Sequence, residues 1–146
     1  MSKKIIFTTG GTGGHILPAV ATMKHFSKLG YEVVLVTDLR GENFLKENFI
    51  YKSHIINTGT FTNKNIFKKI LSLVLIFFSI LRSVFIIIKE KPNLIFGFGG
   101  YVSFPISLIS KIFNIPLVVY ENNLVLGRAN KILIKFAKKV FLGNGS

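Results

Sequence analysis

Two glycine clusters carry the residues best suited to chemistry. The first reads Gly10-Gly11-Thr12-Gly13-Gly14-His15, the second Gly97-Phe98-Gly99-Gly100-Tyr101. Glycines at a strand-to-helix turn allow tight turning and close approach of a ligand. The helix that follows offers unpaired N–H groups and a partial positive charge, which suit phosphate. Two such loops on one sheet edge point to a diphosphate or a large phosphorylated ligand. His15 follows the first loop directly. Imidazoles titrate near neutrality, so this position suits a general base acting on a hydroxyl, or else a hydrogen bond that orders the helix start. Glu121 and Asn123 follow an apolar run ending at Tyr120. They supply an acid and an amide that would bond sugar hydroxyls, or cap the next helix.

Other chemistries fit less well. A P-loop needs Lys and then Ser/Thr after its last glycine, where His15 and Ile16 stand. A dinucleotide fingerprint counted from Gly11 or Gly97 meets Ile16 or Val102 where a small residue belongs. That break disfavours Asp38 as the ribose-binding acid of an NAD enzyme. His25 and His54 have no partner that suggests metal ligation, and the sequence has no cysteine, so neither a metal nor another cofactor is expected.

These loops need a scaffold that brings them to one edge. Residues 5–9 read as a buried strand, and apolar positions from Ile16 to Phe26 then recur at helical spacing, with Gly30 as the stop. Residues 32–37 form a second strand, 41–48 a short helix and 53–57 a weaker strand. Residues 94–97 form a strand after Pro92, 103–113 a helix and 117–120 a strand. Ala129, Ile132, Leu133, Phe136, Ala137 and Val140 mark one face of an amphipathic helix, and 140–142 begin a last strand. This alternation predicts an α/β domain: a Rossmann-like parallel sheet with helices on both faces.

Residues 70–88 hold fifteen apolar residues in nineteen, interrupted by Ser72, Ser79, Arg82 and Ser83. That length spans a bilayer. A central Arg costs about 3 kcal/mol against roughly 0.5 gained per Leu, Ile or Phe, so composition alone permits insertion. A span would, however, separate the strands on its two sides. A crossover helix packed on the sheet is the expected reading, with a surplus apolar face that needs a partner. Lys64, Lys68, Lys69, Lys89 and Lys91 flank the run, a pattern suited to docking on an anionic membrane. The formal charge of +13 agrees with such a surface, although its lysine-rich composition also fits AT-rich coding. No nucleic-acid motif supports binding to DNA or RNA. The N-terminal residues lack the long apolar stretch of a secretory signal, which predicts a cytoplasmic location.

The stretch Gly10-Gly11-Thr12-Gly13-Gly14-His15-Ile16-Leu17-Pro18-Ala19 resembles the opening signature of the MurG family. These are the UDP-N-acetylglucosamine transferases of peptidoglycan synthesis. Gly97 to Pro105 is similar to the family's second glycine loop, and Glu121-Asn122-Asn123, Gly127 and Ala129-Asn130-Lys131 to its third block. One block departs mildly: Tyr120-Glu121-Asn122-Asn123 stands where many members have His-Glu-Gln-Asn.

The resemblance implies the N-terminal, acceptor-binding domain of a GT-B glycosyltransferase over residues 1–146. The donor-binding C-terminal domain would lie outside it. It implies an inverting, metal-free transfer of N-acetylglucosamine from UDP-GlcNAc to undecaprenyl-diphosphate-MurNAc-pentapeptide (lipid I), giving lipid II. The enzyme would work peripherally at the cytoplasmic face of the bacterial inner membrane. By position, His15 is the candidate base, and Thr12, Gly13, Gly14 and Asn123 would contact the UDP-sugar. Gly10, Gly11, Gly99, Gly100, Tyr101 and Glu121 would line the acceptor and diphosphate side. Without the donor half, these residues alone are expected to be inactive. Two alternatives remain: the acceptor-binding subunit of a two-chain UDP-GlcNAc transferase that pairs with a donor-binding chain, and a non-catalytic polyprenyl-diphosphate binding module.

Overall fold

A computed structural model describes residues 2–45, 49–59, 65–123 and 125–143. Six strands form one parallel sheet: β1 (Lys4–Thr8), β2 (Glu32–Thr37), β3 (Lys52–Ile55), β4 (Leu94–Gly97), β5 (Leu117–Glu121) and β6 (Lys139–Leu142). Their spatial order is β3-β2-β1-β4-β5-β6. The order reverses beside β1, so the loops after β1 and β4 leave neighbouring strands in opposite directions. Open α/β sheets bind ligands in the crevice this creates.

The strands are apolar on both faces because both faces are covered. Successive side chains alternate. Ile6, Val34, Ile95 and Val119 face one side, where Ile86, Ile87, Ile106 and Leu133 complete the core. Ile5, Phe7, Leu35 and Phe96 face the other, against Ala19 and Met23. The helices on the first side are α3 (Ile66–Glu90), α4 (Ser103–Ile112) and α5 (Arg128–Leu133); on the other lies α1 (Gly13–Lys28). The short α2 (Leu39–Leu45) follows β2. It begins earlier than expected because Asp38 caps it, its Oδ1 accepting from the Gly41 N–H at 2.9 Å. The rest of the expected 41–48 helix, and Lys64, lie outside the described residues.

One expectation needs correction. The amphipathic helix was predicted to reach Val140, yet α5 ends at Leu133. Residues 134–136 turn instead, which lets Lys139 enter β6 opposite Val118. Phe136 and Ala137 still pack on the core, so their apolar spacing reports burial, not helix.

The apolar run forms α3, as expected. Its boundaries are set by an Asn65 cap, whose Oδ1 accepts from Phe67 N, and by the left-handed Lys91 (φ 49°) before Pro92. It is the crossover between β3 and β4 of one sheet. Yet over residues 67–85 it is inverted: Ser72, Ser79 and Ser83 are buried, while Phe67, Leu71, Phe77, Phe78, Leu81 and Phe85 are about half exposed or more. At Ser72 another stretch of backbone comes close. A Cβ on Gly59 would stand 2.5 Å from Ser72 O and 2.6 Å from Ser72 Cα. The serine hydroxyls bond back to their own helix, Ser79 Oγ to Ile76 O and Ser83 Oγ to Ser79 O, each at 2.7 Å.

Candidate active site

The two glycine loops meet at the carboxyl edge. Gly10 N–H donates to Gly99 O at 3.0 Å, and Phe98 N–H to Thr8 O at 2.8 Å. Ser103, at the start of α4, sets its hydroxyl 2.7 Å from Gly99 O and 3.0 Å from Thr8 O, tying the second loop to the end of β1. The backbones touch: a Cβ on Gly100 (φ +82°) would lie 2.8 Å from Gly10 Cα. Gly11 is equally confined, by Asp38, Arg40 and Gly41. At Gly11 and Gly100 the chain itself leaves no room for a side chain, and Gly10, with Gly100 Cα 3.2 Å from where its Cβ would be, is tightly packed.

Gly13 and Gly14 differ. A Cβ on either would meet nothing within 4 Å, so the space in front of the α1 N-terminus is open. Thr12, the N-cap, makes no side-chain cap bond, so its hydroxyl does not close off the first turn. That is the arrangement an anionic group requires.

His15 stands between the loops. Its ring packs on Gly99, where a Cβ would fall 3.2 Å from Nδ1. The ring does not order the helix start by a hydrogen bond through Nδ1, which is buried without a partner among the described residues. It lines a cavity of about 280 Å³ shared with Gly99, Gly100, Tyr101, Asn123, Arg128 and Asn130. Asn130 Oδ1 is also buried and unpartnered. Both atoms lie beneath the cavity wall, without accessible surface of their own.

Glu121 occupies a different role from a simple sugar-binding acid. It is 1% exposed. Oε1 accepts from Asn123 N (2.9 Å) and Nδ2 (3.0 Å), Oε2 from Gly127 N and Asn130 Nδ2, both at 3.0 Å. Four donors fill the capacity of a carboxylate. Burial pushes its pKa up, but the N–H groups of Gly127, Asn123 and Asn130 override this and hold it below the usual carboxylate range. Glu121 therefore shapes the segment that presents Asn123 and Asn130, and serves as the helix-start anchor through Gly127.

The cavity thus gathers His15, Gly99, Gly100, Tyr101, Glu121 and Asn123 from the expected set. Thr12, Gly13 and Gly14 lie outside its wall, at the open α1 N-terminus; Gly10 and Gly11 are packed inside the fold. Asn130 and Arg128 are additions. Asn130 sat visibly within the third sequence block, but its burial beside His15 depends on the β4–β5 neighbourhood. His25 is exposed, as expected of a surface residue. His54 is structural: its Nε2 lies 2.7 Å from Glu90. No group of three or more His, Cys, Asp or Glu that would hold a metal occurs among the described residues.

With this geometry in place, comparison with known proteins is decisive. Residues 5–142 match the glycosyltransferase family 28 N-terminal domain. The chain belongs to glycosyltransferase family 28. Within the family it is MurG-like. It is 36% identical over 141 residues to the UDP-N-acetylglucosamine–N-acetylmuramyl-(pentapeptide) pyrophosphoryl-undecaprenol N-acetylglucosamine transferase of Pelagibacter ubique, covering 97% of this chain and 39% of that protein. The protein of the same name from Rickettsia prowazekii is 38% identical over 138 residues, covering 94% and 34%. The crystal structure of Acinetobacter baumannii MurG superimposes with a TM-score of 0.84 at 28% identity, over 96% of this chain and 41% of that one. The fold is that of a GT-B N-terminal domain. The chain therefore spans between a third and two fifths of the length of these family 28 relatives.

Proposed function

We propose that this chain is the acceptor-binding part of a MurG-type transferase that moves N-acetylglucosamine from UDP-GlcNAc to lipid I, with inversion. The observation that carries this reading is His15, held at the junction of two interlocked glycine loops in the wall of an open cavity. His15 takes the proton of the acceptor hydroxyl as that oxygen attacks the anomeric carbon; UDP leaves from the opposite face with the bonding electron pair. Attack opposite the leaving group inverts the centre. The open turn at Thr12, Gly13 and Gly14 meets diphosphate charge with N–H groups. Asn123 reaches the sugar from the β5 side, and a donor-binding domain supplies the remaining UDP contacts.

The same reading places the chain peripherally on the cytoplasmic face of the inner membrane. The support is α3, whose outward face carries Phe67, Phe77, Phe78 and Phe85 with Lys68, Lys69 and Lys89 around them. Apolar side chains ringed by lysine suit an anionic leaflet.

Flotation with anionic vesicles, with and without lipid I, tests both parts, with UDP-GlcNAc turnover followed in the same tubes. The chain should float with plain anionic vesicles at low salt, bind more tightly when lipid I is present, and transfer no sugar by itself. Failure to float overturns the membrane role. Indifference to lipid I overturns the acceptor role, and turnover by this chain alone overturns the need for a donor domain.

A further inference from the structure

A second opening lies on the same sheet edge. It measures about 320 Å³ and is walled by Asp38, Arg40, Asn57, Thr58, Tyr101 and Val102. These residues follow β2, β3 and β4, on the far side of the second glycine loop from Asn123. Tyr101 walls both this opening and the His15 cavity. The two openings are therefore neighbours across Tyr101, and an arm on a ligand seated beside His15 need only pass that side chain to reach the second.

The polar groups here are arranged to meet acceptor atoms. Asp38, 9% exposed, is already committed: Oδ1 accepts from Gly41 N, and Oδ2 from Arg40 Nε at 3.1 Å and Nη2 at 2.8 Å. Its charge is neutralised within the wall. The same two bonds fix the Arg40 guanidinium, yet use only two of its five N–H groups. The Arg40 side chain is 71% exposed, so the remaining N–H groups are available to a ligand. Asn57 adds an exposed amide and Thr58 a half-buried hydroxyl. A fixed guanidinium fork with amide neighbours recognises carboxylates and peptide carbonyls.

The acceptor named for the family 28 relatives is an N-acetylmuramyl-pentapeptide. In a muramyl sugar the peptide hangs from the ring itself through a lactyl ether, so the arm must leave the reacting cavity at its wall. We propose that the cavity formed by Asp38, Arg40, Asn57 and Thr58 is the subsite for the first residues of the acceptor's peptide, with Arg40 meeting a peptide carbonyl or carboxylate. This rests on the acceptor-binding role proposed above. It assigns the two sides of Tyr101 separate tasks: one holds the sugar that reacts, the other reads the arm attached to it.

Amide-shift titration of the 15N-labelled chain tests this with two probes, N-acetylglucosamine 1-phosphate and N-acetylmuramyl-pentapeptide 1-phosphate, which differ in the lactyl-peptide arm. Both should shift amides of the two glycine loops. Only the peptide-bearing probe should also shift residues 38–41 and 57–58. Arg40→Ala, which keeps the Cβ against which Gly11 packs, should weaken the peptide-bearing probe roughly tenfold and leave the other unchanged. Shifts confined to the glycine loops with both probes would overturn the subsite while leaving the acceptor role standing. Equal weakening of both probes by Arg40→Ala would also overturn it. Silence at every one of these amides would remove the acceptor role and the subsite together.

Discussion

The two edges of the sheet each bury a glutamate, and they hold it in opposite ways. At the carboxyl edge Glu121 is held by neutral N–H groups alone. At the amino edge Glu90, the last residue of α3, is held by side chains that carry or accept positive charge: Lys52 Nζ and His54 Nε2 lie at 2.7 Å and Lys4 Nζ at 3.0 Å. Lys4 also reaches Glu32 at 2.7 Å. The amino edge closes on itself as an ion cluster across β1, β2, β3 and α3. The carboxyl edge uses its buried acids to shape loops, Glu121 by N–H groups and Asp38 by Gly41 and Arg40, and leaves His15 Nδ1 and Asn130 Oδ1 without partners among the described residues. One edge fastens the fold; the other stays receptive to ligand.

Substitutions grade this contrast. The largest effect is expected at Glu121. Glu121→Ala strands the buried Asn130 amide and releases Asn123 and Gly127, costing about 4 kcal/mol. Urea unfolding measures that loss, and amide spectra should show Asn123 and Gly127 moving even where the fold survives. Glu90→Ala is expected to cost less, about 2 kcal/mol, because Lys52 is half exposed and turns to water, and Lys4 keeps Glu32. A larger loss at Glu90 than at Glu121 would break the comparison. The smallest effect belongs to Lys52→Ala, within about 1 kcal/mol, since its side chain is 49% exposed and Glu90 retains two partners.

The acid response sharpens the same contrast. Burial alone would raise the pKa of Glu90, but the bonds from Lys52, His54 and Lys4 outweigh it and lower it from 4.5 to about 2. The folded chain thus holds this carboxylate ionised where the unfolded chain protonates it. Its contribution to stability is full above about pH 4.5 and is lost as the pH falls toward 2. Glu121, also lowered, acts in the same direction. Stability measured between pH 6 and pH 2 should fall less steeply in Glu90→Gln than in the unsubstituted chain; an unchanged slope would show that the cluster does not hold Glu90 ionised.

Much of the fold was legible because it is written locally. The 32–37 and 94–97 strands fall where their valines and flanking Pro92 put them, and the glycine loops announce the ligand edge. The roles of individual glycines were not legible. Gly10, Gly11, Gly13, Gly14 and Gly100 look alike in sequence, yet an added Cβ would collide with the chain at Gly11 and Gly100, crowd it at Gly10 and meet nothing at Gly13 and Gly14. The apolar run in α3 gave no hint of its buried face, because nearly every position was apolar and the face was chosen by the close approach of Gly59 to Ser72.

By itself, then, the sequence determined the alternation of strand and helix that implies a parallel sheet, the two glycine loops and His15 directly after the first, since each rests on residues close together in the chain. Tertiary structure alone decided the rest. Lys4 and Glu90 are 86 residues apart, and His54 and Glu90 are 36 apart. Asp38 and Tyr101 share a cavity wall although they follow different strands. Such pairings depend on strand order and on which helix face meets the sheet, and those are settled by burying all the apolar surfaces at once.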